Sequence, residues 1–185
     1  MVEHTSSAAL EAGLAEVARS PTDDGQVELI VRRPAVGERE SVARATLDLV
    51  DGLVADTWRE RGSSRTDDGS AHPGMQLTLM NARVAALVAG PIAAWPLAGD
   101  QLYVDLDLSE DNLPPGCRLV VGSATIEVTD QPHLGCAKFR SRFGRDALQL
   151  VNSPVGRSLR LRGANARILV SGTLRVGDAI GKPLP

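Results

Sequence analysis

The chain has 185 residues, 43% of them hydrophobic, only 3% aromatic, and a net charge of −3. That suits one domain with an aliphatic core. Two cysteines exclude a disulfide framework, and the longest uncharged apolar stretch, residues 84–99, is too short and too proline-broken to span a bilayer.

The first element is a helix over 6–19, Ala/Leu/Glu-rich, opened by Ser6 or Ser7 and stopped before Pro21. It forms an N-terminal helical arm, 1–22, without the basic and apolar regions of a secretory signal. The domain proper is 23–185. Residues 26–33 read as a strand ended by Pro34. Residues 40–50 read as a second strand, with one irregularity in the alternation. Residues 52–74 are polar and aperiodic, a long loop of the kind that often carries function. A strand at 75–80 leads into a helix capped by Asn81 and stopped by Gly90. Residues 100–109 alternate as a strand. Residues 113–130 form a hairpin turning at Gly122-Ser123. After the loop 131–141, residues 142–153 read as a helix, and 166–180 as a second hairpin around Ser171-Gly172. The fold class is mainly β with a few short helices, a barrel or sandwich. The chain is expected to be soluble and cytoplasmic, with no membrane or nucleic-acid partner.

Charge is unevenly spread. Residues 1–130 hold 10 Lys/Arg against 21 Asp/Glu, whereas 131–177 hold 9 Lys/Arg against one acid. Eighteen of the twenty cations are arginine, which suits bidentate contact with phosphate or carboxylate. Two readings follow: a surface coat paired with acids from the first 130 residues, or an anion site around Cys136. Lys138, Arg140 and Arg142 follow this thiol, and positive neighbours favour the thiolate. If that segment is extended, at least two of the three cations face one cleft with it. Cys117, at a strand start, reads as a packed thiol. His133 and Cys136 form a lone H-x2-C pair, too little for a zinc site. They are also a conceivable but unusually spaced nucleophile–base pair. No P-loop, GxGxxG, HExxH or nucleophile elbow is present.

Four segments, taken in order, carry a resemblance: "GLVADTW" (52–58), "GDQLYVDLDLSEDNLPPGCRLVVGSATIEVT" (99–129), "QPHLGCAKF" (131–139) and "LRGANARILVSGTLRVGD" (161–178). Together they resemble the MOSC domain, named for the C-terminal part of molybdenum-cofactor sulfurases. The chain departs from the pattern at His133, often arginine, at Gly135, often proline, and at Ala55, usually glycine. The resemblance implies a barrel of the pyruvate-kinase β-barrel type. It implies binding of the molybdenum cofactor, an anionic pyranopterin phosphate, with Cys136 as molybdenum ligand or persulfide carrier. At family level it also brings molybdenum-ion and pyridoxal-phosphate binding. The implied cofactor-binding residues are Asp56, His133, Lys138, Arg140, Arg142, Arg162 and Arg167, with the Asp56 loop and Gly99–Leu102 forming the opposite wall. A cysteine desulfurase or a redox partner would serve such a protein. The activity would be molybdenum-dependent reduction of N-hydroxylated compounds, or sulfur transfer. The alternatives are a non-catalytic anion- or partner-binding module, and a metal-free Cys–His hydrolase or transferase.

Overall fold

The computed structural model describes residues 4–184; the first three residues of the expected arm and the last residue of the expected domain lie outside the described residues. The chain begins with helix α1 (Ser7–Val17) and strands β1 (Gly25–Arg32), β2 (Glu40–Val42), β3 (Arg44–Asp48) and β4 (Gly52–Leu53). Helix α2 (Trp58–Arg61), β5 (Leu77–Asn81), α3 (Ala82–Ala89) and β6 (Leu102–Asp105) follow. Then come β7 (Arg118–Val121), β8 (Ala124–Val128), α4 (Ala137–Asn152), α5 (Pro154–Ser158), β9 (Ala164–Val170), β10 (Gly172–Arg175) and β11 (Ala179–Gly181).

Among the described residues, seven strands pair in the order β11-β7-β8-β9-β5-β6-β1, and β1 returns to β11, so the sheet closes as a barrel. Closure leaves no free edge along this ring. β2 pairs with β1 outside the ring, and β10, β3 and β4 form a separate small sheet. β5 and β6 run parallel, with Leu79 opposite Leu102. A parallel pair needs a crossover, and α3 supplies it. Asn81 starts α3 by accepting from the Arg83 and Val84 N–H groups at 2.8 and 3.2 Å.

The strand faces divide the apolar residues between two cores. Leu77, Leu79, Leu102, Val104 and Ile126 fill the barrel. Met80, Tyr103 and Val31 face outward, beneath α1, α3 and α4, with Leu10, Val88 and Phe143. A register shift between Val27 and Leu29 lets Val27 and Ile30, three residues apart, both join the barrel core. Each fully buried aliphatic side chain contributes about 1.5–3 kcal/mol. The two cores therefore carry the stability, which leaves the polar loops at the barrel rim open to function.

Several elements differ from the sequence reading. The 40–50 strand breaks at Ala43 into β2 and β3, which belong to different sheets. Residues 166–180 are not a hairpin: Ser171-Gly172 carries the chain out of the barrel, and β10 pairs with β3, Gly172 opposite Leu47. The strand over 100–109 shortens to β6: Asp100 and Gln101 are drawn into polar contacts at one end, and Asp107 accepts from the Ser109 N–H and hydroxyl at the other. The helix expected at 142–153 starts at Ala137 and breaks at Gly144, where φ is +92°.

Candidate functional site

The end of β1, the loop after β4, the lead-ins to β6 and β9, and the loop after β8 converge on one cleft of about 380 Å³. Its wall includes Arg33, Arg61, Arg65, Arg162, His72 and His133. Two fully buried carboxylates lie beneath these cations. Asp56 takes Arg33 Nε and Nη2, both at 2.7 Å, and also accepts from the backbone N–H groups of Arg33 and Trp58 at 2.9 Å. The third arm of the fork, Arg33 Nη1, donates to the Gly99 carbonyl at 3.1 Å. Asp100 accepts from Arg162 Nη1 at 2.6 Å and pairs with His133 Nε2 at 2.7 Å. Arg162 Nη2 donates to the Ala98 carbonyl, and the guanidinium lies over the Phe139 ring, 5.1 Å from its centroid.

Close backbone approach holds the site together. A Cβ on Gly163, whose φ is +117°, would fall 2.2 Å from the Leu79 carbonyl oxygen and 3.1 Å from His133 Cδ2. Only glycine lets the start of β9 pass this near to β5 while Arg162 and His133 meet over Asp100. Ala55, where the family pattern has glycine, takes a left-handed φ of +66° in the turn that delivers Asp56.

Electrostatics set the ionisation of this cluster. Burial alone would raise the Asp100 carboxyl, but the Arg162 and His133 contacts outweigh it and hold it well below the usual carboxylate range. Burial, then repulsion from Arg162, pushes the His133 imidazole below its ordinary value, with Asp100 countering in part. Arg39 and Arg61 also fall below the arginine norm. Partial burial is the largest cause in both; repulsion from Arg142 and then Arg33 adds to it at Arg39, and from Arg33 at Arg61. Several arginines thus crowd around Asp56. Among the described residues, Arg162 Nε, Arg39 Nε and Asn165 Oδ1 are buried without a hydrogen-bond partner, and both Arg162 and Asn165 line the cleft.

The Asp100 and His133 shifts have the same consequence for stability. The unfolded chain holds more protons than the fold below the ordinary histidine value of about 6.5. Stability from His133 is therefore complete above that pH and lost as the pH falls through the depressed folded value; Asp100 adds a second loss at lower pH. Thermal melts from pH 8 to 4 are expected to show this decline, and the limb nearest pH 6 should flatten in His133→Gln.

The sequence-predicted residues divide into two groups. Asp56, His133 and Arg162 come together here, and Gly99 forms part of the wall. Lys138, Arg140, Arg142 and Arg167 are not in this wall. The segment expected to be extended is helical from Ala137, so Lys138 and Arg140 do not share a face. Both are exposed, while Phe139 and Phe143, one turn apart, take the buried face. Arg142 donates to the Leu97 carbonyl. Arg167 sits on the exposed face of β9 and pairs with Glu127 at 2.6 Å. Sequence reasoning missed Arg33, Arg61 and Asp100, the partner carboxylate of Arg162, because they come from the acidic part of the chain. The "GD" at 99–100, within the second matched segment, was the available signal.

Cys136 is exposed and lies at the N-cap position of α4, with no side-chain cap bond. It is not a cleft wall residue, and among the described residues no hydrogen bond joins it to His133. The loop before it is clasped by Asn152, whose side chain accepts from the Gly135 N–H at 2.8 Å and donates to the Gly135 carbonyl at 3.0 Å. A Cβ at 135 would meet Leu148 Cδ1 at 2.7 Å, so this chain's departure from proline goes with a different local packing. Cys117 is half-buried, and burial pushes its thiol up. Alkylation of the folded protein at pH 7, followed by peptide mass spectrometry, is expected to modify Cys136 several-fold faster than Cys117. Equal labelling would contradict this difference.

Among the described residues, no helix is long and apolar enough to cross a membrane. No curated protein matches the chain. Solved structures share the fold. YuaD from Bacillus subtilis is 14% identical, with a TM-score of 0.58 over 84% of this chain and 93% of that one. YiiM from Escherichia coli is 18% identical, with a TM-score of 0.57 over 86% of this chain and 70% of that one. YiiM from Geobacillus stearothermophilus is also 18% identical, with a TM-score of 0.52 over 86% and 75%. The MOSC domain pattern matches residues 76–181, a span holding all of the barrel but β1 and including Asp100, His133, Cys136 and Arg162. With the ordered segments, the closed barrel and this match in agreement, the chain belongs to the MOSC domain family.

Proposed function

We propose that the protein binds the molybdenum cofactor through its anionic end in the arginine-lined cleft, with Cys136 as the thiol that ligates the metal or carries sulfur. The observation that supports this most is the surplus of cation there. Arg33 and Arg162 are matched by Asp56 and Asp100, whereas Arg61 and Arg65 line the same cleft and make no ion pair among the described residues. The partnerless Arg162 Nε and Asn165 Oδ1 fit a ligand that both accepts and donates hydrogen bonds, as a pyranopterin phosphate does. Among the described residues no three His, Cys, Asp or Glu side chains gather as a metal site of their own. A metal at Cys136 would therefore draw most of its ligands from the cofactor. Thiolate is a soft donor of the kind such a metal takes. When bound, the cofactor would supply the redox centre for removing oxygen from N-hydroxylated compounds. The chain's own part is to hold the anion with Arg61, Arg65 and Arg162, and to keep the thiol at an exposed helix start. A redox protein or a cysteine desulfurase would meet it there.

Inorganic pyrophosphate titrated into the purified chain by calorimetry tests the anion site. Each charge-assisted hydrogen bond is worth roughly 1.5–3 kcal/mol, so Arg61→Ala is expected to weaken binding about tenfold or more. Unchanged affinity would contradict the assignment. The absence of Cys136 from the cleft wall favours one second reading, an anion-binding module without thiol chemistry. In that case pyrophosphate binds, but the protein takes up no molybdenum.

A further inference from the structure

His133 stands in a wall between two cavities. It lines the arginine cleft on one side. On the other it lines a second cavity of about 330 Å³, bounded also by Gln131, Leu134, Arg157 and Arg160. Asn165 lines both. The ring is fixed from behind: Nε2 lies 2.7 Å from Asp100 Oδ1, and the side chain of Asp100 is wholly buried. The other carboxylate oxygen takes Arg162 Nη1 at 2.6 Å, so the carboxylate stays ionised and can only accept. Nε2 must therefore carry the hydrogen, which leaves the lone pair on Nδ1. Among the described residues Nδ1 has no hydrogen-bond partner, and it is not one of the sealed partnerless atoms, so some solvent access remains to it.

This is the carboxylate–imidazole arrangement that prepares a histidine to take a proton: the acid fixes the tautomer and stabilises the imidazolium once formed. We propose that His133 is the proton acceptor of this site, its Nδ1 taking the proton from an N–H or O–H group of a ligand bound between the two cavities. The bonding pair stays on the ligand's nitrogen or oxygen, the proton becomes Nδ1–H, Nε2–H remains donated to Asp100, and the proton later leaves to solvent. No electrons are exchanged. The proposal rests on the reading of the cleft as an anion site and adds a role beyond anion contact at the position where the family pattern often has arginine.

Charged groups on every side bear on this proton. Asp100 and Arg162 touch or adjoin the ring, and Arg33 acts from the end of β1. Arg61, Arg65 and His72 line the same cleft. Glu110, Asp130, Arg157 and Arg160 surround the second cavity. The close cations disfavour imidazolium in the empty site, and an arriving anion offsets them. Protonation of His133 is thereby coupled to ligand binding.

The test uses the full chain labelled with ¹⁵N-histidine. It has three histidines, His4, His72 and His133, and the His133→Gln variant assigns the third. Long-range ¹H–¹⁵N spectra at pH 7 are expected to show His133 as the Nε2–H tautomer. Inorganic phosphate, which carries an ionisable O–H near this pH, should move its Nδ1 signal toward the imidazolium value while the Nε2 proton persists. Calorimetry in two buffers of different ionisation enthalpy should show that the net proton balance of phosphate binding differs between the native chain and whatever binding His133→Gln retains, since only the native chain keeps the proton on Nδ1. An Nδ1–H tautomer, or an Nδ1 signal unmoved at saturating phosphate, overturns the proposal. Phosphate that does not bind at all overturns the anion-site reading first, and the proposal with it.

Discussion

Asp100→Ala is expected to destabilise the protein by about 3–5 kcal/mol, the usual cost of removing one partner from a buried ion pair. Asp100 is the sole ion-pair partner of Arg162 and the sole side-chain hydrogen-bond partner of His133 among the described residues, and its side chain is wholly buried. The change strands the Arg162 guanidinium, itself 6% exposed, with an Nε that already lacks a partner. Isosteric Asp100→Asn keeps the volume and one acceptor, so it should cost less. It also frees the His133 tautomer, because the amide can accept or donate. Urea denaturation of the three proteins measures this series; a loss under 1 kcal/mol for Asp100→Ala would show the cluster to be more solvated than its burial implies.

Asp56→Ala should have an effect of the same size by a different route. Asp56 closes a bidentate fork with Arg33 and caps two backbone N–H groups, so its loss leaves a buried charge and unsatisfied donors together, again about 3–5 kcal/mol. It also releases the turn that presents Trp58 and Arg61 to the cleft. Anion affinity is therefore expected to fall along with the unfolding midpoint. Arg33→Met should recover part of the stability of Asp56→Ala, since it removes the stranded charge, but not the anion affinity. A double variant no more stable than Asp56→Ala would show that the lost backbone caps, not the unpaired guanidinium, carry the cost.

The barrel strands were readable wherever one face met solvent. In β7 and β8, Leu119, Val121, Ile126 and Val128 alternate with exposed or half-exposed residues, and the hairpin follows from that period and the Gly122-Ser123 turn. β5 shows no such alternation, yet the strand expected at 75–80 is present at Leu77–Asn81. All of Leu77–Asn81 is buried because the barrel core takes one face and the helical layer the other. The chain's departure into the second sheet at Ser171-Gly172 has no local signature, since a turn between two strands reads as a hairpin whichever partners they choose.

The site was half legible for a related reason. Asp56, His133, Arg162 and the Gly99 segment were reachable through the ordered motifs. The run of cations after Cys136 invited an extended reading, but Phe139 and Phe143, one helical turn apart, mark a helix whose apolar side turns inward and whose cations turn outward. Neither charge reading holds alone. Arg162 and Arg167 do pair with acids from the first 130 residues, while the cleft's uncompensated cations, Arg61 and Arg65, come from the acid-rich half. Regional charge cannot show that, because pairing depends on which loops the barrel brings together.

The central claim is that cleft and thiol together hold the molybdenum cofactor. Its most direct test is the molybdenum and pterin content of the full chain purified from a cofactor-competent host, measured beside Cys136→Ala and Arg61→Ala. The expected result is metal and pterin in the native chain, loss of metal in Cys136→Ala, and reduced pterin with metal falling in step in Arg61→Ala. A native chain free of both, although it binds pyrophosphate, would contradict the claim.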